Sequence, residues 1–158
     1  MKTIFSNNRL LYVAKWSTLV LSSTLLLVLY FQTWTLRVSF FELIQTNLLM
    51  NILLMVSVLN LISFLELHVL LGRLDDENWN RTFPVLATIW LAQAAMMNFV
   101  STILLGYGML IQQRTNETSW KKSLIAWFRD RNKGWILVNL GLFVVMITII
   151  YVSLYYLF

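Results

Sequence analysis

The chain contains no cysteine, one histidine and one proline. Without cysteine there is no disulfide, no thiol nucleophile and no Cys-ligated metal. With one histidine as well, most metal sites and most nucleophile–base pairs cannot be assembled from this chain alone, and no metal site is expected. The phosphate-loop pattern G-x-x-x-x-G-K-[ST], the HExxH pair and the G-x-S-x-G elbow are all missing. Charge is scarce: only 12% of the 158 residues are Asp, Glu, Lys or Arg, about half the share of an ordinary soluble domain.

What is present is apolar. Hydrophobic residues make up 59% of the chain and aromatics 15%, and the charges avoid four long apolar runs. The expectation is an all-α integral membrane protein, multi-pass, forming a single membrane domain over residues 1–158. Its four transmembrane helices are expected at about 16–36, 47–71, 84–111 and 135–158, since a span needs roughly 20 apolar residues. A basic amphipathic interfacial helix at about 119–131 separates the third from the fourth. The net charge of +5 fits loops and lipid headgroups, so the expected partners are the bilayer and other integral membrane subunits, and not nucleic acid.

Before the first run, Lys2, Arg9 and Lys15 alternate with apolar residues in a segment that reads as a short surface helix at the headgroups. A basic start before an apolar run also describes a signal peptide, but no small-x-small site follows, so an uncleaved span is expected. Trp16, Tyr30 and Trp34 lie toward its ends, as interfacial aromatics do.

The second run organises the rest, because it carries Asn60, Ser63, Glu66 and the sole histidine, His68, at membrane depth. Such groups tend to face protein, water or a ligand. At about 100° per residue, Ser57, Asn60 and Ser63 form a polar stripe on adjacent turns. One reading is hydrogen bonding between helices. The other is the wall of a polar pathway or ligand site. Glu66 shares a face with Arg73, while His68 points elsewhere, toward Gly72 and Asp75, a carboxylate that could orient the imidazole. A haem or quinone at His68 would need a partner subunit to complete its site; no cofactor is expected for the chain alone.

Asp75, Asp76 and Glu77 make an acidic turn without the glycine of a calcium loop. Pro84 is expected to open the third span, where its missing N–H is harmless. Thr88, Ala92 and Ala95 share one face there, a seam that lets helices approach closely. Gln93 and Asn98 add hydrogen-bonding capacity, and Gly106 and Gly108 are read as permitting a bend. In the third loop, Trp120, Lys121, Lys122, Trp127, Arg129 and Arg131 form the membrane-surface face of the interfacial helix.

Four crossings put Lys2, Arg9, Lys15, Arg73 and Arg81 on one side. They put Arg37 with Arg114, Lys121, Lys122, Arg129, Arg131 and Lys133 on the other. Five against seven leaves the positive-inside rule without a decision. Two glycosylation sequons, at Asn80 and Asn116, would also fall on opposite sides. The function these features suggest is a non-enzymatic accessory or anchoring subunit of a larger membrane complex. The alternatives are a small homo-oligomeric channel or transporter using a polar path at Asn60, Ser63 and Glu66, and the membrane anchor of a redox or lipid-modifying enzyme with His68 near haem, quinone or lipid.

Overall fold

The computed structural model describes residues 9–72 and 79–115, with scattered positions between 121 and 151. Helix α1, Arg9–Leu36, runs for 28 residues without interruption. Of the separate surface helix expected before Lys15, residues 9–15 are part of α1, and residues 1–8 lie outside the described residues. No glycine or proline lies between Arg9 and Leu36 to end a helix. Five of its hydroxyls, on Ser17, Thr18, Thr24, Thr33 and Thr35, fold back onto carbonyls three or four residues earlier. That local bonding lets polar residues sit in an apolar helix without spare donors.

The helix stops at Leu36. Arg37 adopts a left-handed φ of 55°, and the Val38 amide reaches back to the Thr33 carbonyl at 3.3 Å, closing the terminus in the Schellman manner. The link that follows holds a short helix, α2, Phe40–Thr46. Ser39 and Glu42 supply its start: the Ser39 hydroxyl accepts from the Glu42 amide at 3.2 Å, at the S-x-x-E spacing of a capping box. Asn47 then ends α2 and begins α3, Leu48–Leu71. Its side-chain oxygen accepts from the amides of Leu49 and Met50, which is what makes asparagine a favoured helix start.

α1 and α3 are about 42 and 36 Å long at 1.5 Å per residue, against about 30 Å for a bilayer's hydrocarbon core. They are the two described helices long and apolar enough to cross a membrane. They run antiparallel, with Tyr12 near Leu71 and Ser22 against Ser57.

The third apolar run departs from expectation. It does not form one helix over 84–111. It forms α4, Trp79–Ala95, and α5, Phe99–Thr115, which fold back on each other. Trp90 of α4 donates its indole N–H to the Thr102 carbonyl of α5 at 2.9 Å. Residues 83, 87 and 90 face residues 113, 109–110 and 106 across a shared groove, the register of an antiparallel hairpin. Pro84 lies inside α4 instead of opening it.

The break falls at 96–98, where there is neither glycine nor proline. Met97 takes a left-handed φ of 56°. The Met97 amide bonds the Ala94 carbonyl at 3.1 Å and the Asn98 amide bonds the Gln93 carbonyl at 3.0 Å, the paired bonds of a Schellman end. Asn98 immediately starts α5: its carbonyl accepts from the Thr102 amide and its side-chain oxygen from the Ser101 amide at 3.2 Å.

Gly106 and Gly108 lie inside α5. They let it be approached from two sides. A Cβ on Gly108 would lie 2.8 Å from Cδ2 of Leu11, and one on Gly106 would lie 3.0 Å from the Trp90 indole nitrogen. Glycine here lets α1 and α4 both press against α5.

Two apolar clusters bracket the fold. One joins the start of α1, the end of α3 and the open end of the hairpin, through Leu11, Leu71, Trp79, Phe83, Leu105 and Met109. The other, at the opposite end of the α1–α3 pair, is Leu29, Leu43 and Met50 with Val38 and Phe40 around them. The expected interfacial helix and fourth span fall mostly outside the described residues. Trp120, Trp127, Arg129 and Arg131 are among those outside; Lys121 and Lys122 are helical and exposed.

Candidate functional site

The polar stripe of α3 faces inward. Ser57, Asn60, Ser63 and Glu66 are all buried, none more than 2% exposed. At about 100° per residue each step of three turns the stripe by about 60° around the helix, so Ser57 meets α1 while Asn60 meets the hairpin tip.

Toward α1 the partner is Ser22, also buried. Ser22 and Ser57 each donate to the other's backbone carbonyl at 2.9 Å, with the two hydroxyls 3.1 Å apart. Two small hydroxyl residues meeting this way bring the helix backbones close together. One turn along, Thr18 is buried with its hydroxyl on the Lys15 carbonyl at 2.7 Å. Lys15 is itself only 5% exposed. Its ammonium sits 4.9 Å from the Tyr12 ring centre, 5.2 Å from Trp16 and 5.9 Å from Phe64, an aromatic cage that partly replaces the water it has lost.

Toward the hairpin the partner is Asn98. Its amide nitrogen donates to Asn60 Oδ1 at 3.1 Å and to Gln93 Oε1 at 2.7 Å, while its oxygen caps α5. All its side-chain donors and its acceptor are thereby used. Asn60 in turn donates to the Val56 carbonyl at 2.9 Å. The network spans α3, the end of α4 and the start of α5, so it depends on all three being in place. Among the described residues, three buried atoms beside it have no hydrogen-bond partner: Ser63 Oγ, Gln93 Nε2 and Ser101 Oγ. The cluster therefore retains hydrogen-bonding capacity beyond what holds the helices together.

The sequence candidates thus divide. Asn60, Ser63 and Glu66 share the buried face, whereas His68 is exposed on the outer surface of α3, its ring 6.1 Å from that of Phe64. Arg73 and Asp75, the expected partners of Glu66 and His68, lie outside the described residues. On α4, Ala92 is buried against Leu59 and Met96, with Ala95 packed alongside. Thr88 is half-buried and bonds the Val85 carbonyl at 2.8 Å.

Lys15, Thr18 and Ser22 of α1 did not figure among the sequence candidates. Their spacing of three and four residues was the available signal, weakened by the many other hydroxyls in that helix. Asn98 was noted only for its hydrogen-bonding capacity, although asparagine before an apolar segment is a helix-start signal.

A groove of about 270 Å³ separates the arms of the hairpin, lined by Phe83, Ala87, Trp90, Leu91, Met109 and Leu110 among others. None of the buried α3 polar groups lines it. Among the described residues, no group of three His, Asp or Glu side chains is placed to hold a metal ion.

Among the described residues, the geometry defines an all-helical fold with two helices of membrane-crossing length and a hydrogen-bonded polar core beside them. No family model, no curated protein and no solved structure matches this chain.

Proposed function

We propose that the chain is an accessory or anchoring subunit that sits in a bilayer within a larger membrane complex and is not an enzyme by itself. The observation that carries this reading is the inside-out distribution of polarity in α1 and α3. Val20, Leu27, Tyr30, Phe31 and Trp34 each expose more than 60% of their surface, while Ser22, Ser57, Asn60, Ser63 and Glu66 are buried. A soluble monomer rarely presents so continuous an apolar exterior. Lipid and neighbouring membrane helices are the environment it suits, and the interior polar groups mainly join helices. The test is native mass spectrometry of the particle extracted from its own membranes in mild detergent. Co-purification with other membrane proteins at fixed stoichiometry is expected. A monomer or homo-oligomer would overturn the subunit reading.

One observation favours a second reading, a small channel or transporter. The buried Glu66 carboxylate lies one turn from the unpartnered Ser63 hydroxyl, and ionisable residues at this depth often mark ion or proton paths. That reading requires flux in liposomes containing only this chain. The flux must change in the Glu66→Gln variant.

A further inference from the structure

The hairpin reaches only halfway along α3. Asn98, at its tip, bonds Asn60, the thirteenth of the 24 residues in Leu48–Leu71. From Asn60 to the Leu71 end is about 17 Å at 1.5 Å per residue, roughly half of a bilayer's hydrocarbon core. Ser22 and Ser57, which meet close to the same level, lie near the middles of α1 and α3. The arms extend from this level toward one end only. Gly108 packs on Leu11, and Trp79, Phe83, Leu105 and Met109 cluster with Leu11 and Leu71. The cluster at the opposite end contains no hairpin residue.

A chain that turns at mid-depth must satisfy its backbone internally, because hydrocarbon offers no hydrogen bonds. The tip does this. The amides of Met96, Met97, Asn98 and Phe99 all bond carbonyls within residues 92–97, and the Asn98 side chain is fully occupied by Asn60, Gln93 and Ser101.

The hairpin also changes the charge count. Because α5 returns to the end from which α4 left, Arg114 in its last turn lies at the same end as Arg9, the first residue of α1. Arg37 follows the last residue of α1, at the other end of the pair. Counted along the sequence alone, such a return turns the split of five against seven into eleven against one, which the positive-inside rule reads without ambiguity.

We propose that α4–α5 is a re-entrant hairpin that enters and leaves the bilayer through one face, stops at mid-depth on Asn60, and so brings the exposed Arg9 and Arg114 to one face, which docks on anionic phospholipid headgroups. The proposal rests on the reading that α1 and α3 cross the membrane. Charge complementarity selects the partner: clustered Lys and Arg beside a membrane helix attract an anionic leaflet.

The absence of cysteine gives a clean test. Single-cysteine variants Gln45→Cys, Asn78→Cys, Thr118→Cys and Phe99→Cys are labelled with a membrane-impermeant maleimide in right-side-out and inverted membrane vesicles. Asn78→Cys and Thr118→Cys are expected to label from one side and Gln45→Cys from the other, with Phe99→Cys labelled only after detergent is added. Thr118→Cys reacting on the Gln45 side overturns the hairpin's return while leaving α3 as a span. Phe99→Cys reacting from the Gln45 side overturns the mid-depth tip. Gln45→Cys and Asn78→Cys reacting from the same side means that α3 does not cross, and the membrane reading itself fails.

The lipid arm compares thermal unfolding in nanodiscs of phosphatidylcholine with an equal mixture of phosphatidylcholine and phosphatidylglycerol. A midpoint several degrees higher in the anionic mixture, lost at high salt, is expected. Equal midpoints overturn the headgroup docking.

Discussion

Residues 9–36 and 84–111 are equally long, both predominantly apolar, and nearly free of charge in their interiors. The first is a single helix of 28 residues. The second turns back on itself at 96–98. Length and apolarity therefore do not decide whether a run continues as one helix or returns. What differs is the fate of the freed backbone groups. In α1 every internal turn continues the helix ladder, and the helix ends only where Arg37 takes the left-handed conformation. In the hairpin, a left-handed Met97 and a capping Asn98 close one helix and open the next within three residues. Asn60 of α3 then holds that turn in place.

This contrast makes Asn98 the residue whose loss should matter most. Asn98→Ala removes the α5 cap and leaves the buried oxygens of Asn60 and Gln93 without their donor. A destabilisation of about 3 kcal/mol is expected, read as a lower unfolding midpoint in a detergent titration. A variant as stable as the parent would show that the turn holds without its polar core.

A smaller effect should follow from filling the close contact between the two regions. Gly108→Leu places a side chain where Leu11 already lies 2.8 Å from a Cβ position. Overpacking of this kind costs about 2 kcal/mol. Crosslinking between cysteines placed on α1 and α5 should fall in parallel.

Relieving the turn should act in the other direction. Met97→Gly removes the Cβ clash of the left-handed conformation and is expected to stabilise the hairpin by about 1 kcal/mol. The same detergent titration, showing loss instead of gain, would mean that the Met97 side chain contributes more by packing than it costs in backbone strain.

The smallest effect is expected in the straight pair. Ser57→Ala removes one of two reciprocal bonds with Ser22, and hydrogen bonds between membrane helices average about 0.6 kcal/mol. An effect as large as that of Asn98→Ala would place the critical polar contact between α1 and α3 instead of at the hairpin tip.

The helical class was legible from composition, because long apolar runs leave the backbone no economical alternative to helices. The stretch from Asn47 to Leu71 was legible almost to its limits, since Asn47 is a recognisable cap. The inward face of Ser57, Asn60 and Ser63 followed from periodicity. The hairpin was not legible in the same way. Pro84 and the glycines drew attention as breakers, yet Pro84 lies within α4, and Gly106 and Gly108 serve close packing. The break fell on Met96, Met97 and Asn98, residues that are compatible with a continuing helix.

The sequence by itself determined that the chain is helical and apolar, where the first long helices lie, and which face of α3 carries polar groups. These follow from local propensity and period, which each segment carries alone. Only the tertiary structure decided that the third run returns to its starting end, that Lys15 is enclosed by rings from two helices, and that His68 faces outward while Glu66 does not. Those outcomes depend on which groups meet across helices. The turn at Asn98 is tied to α3 by Asn60, 38 residues earlier in the chain, which accepts its hydrogen bond.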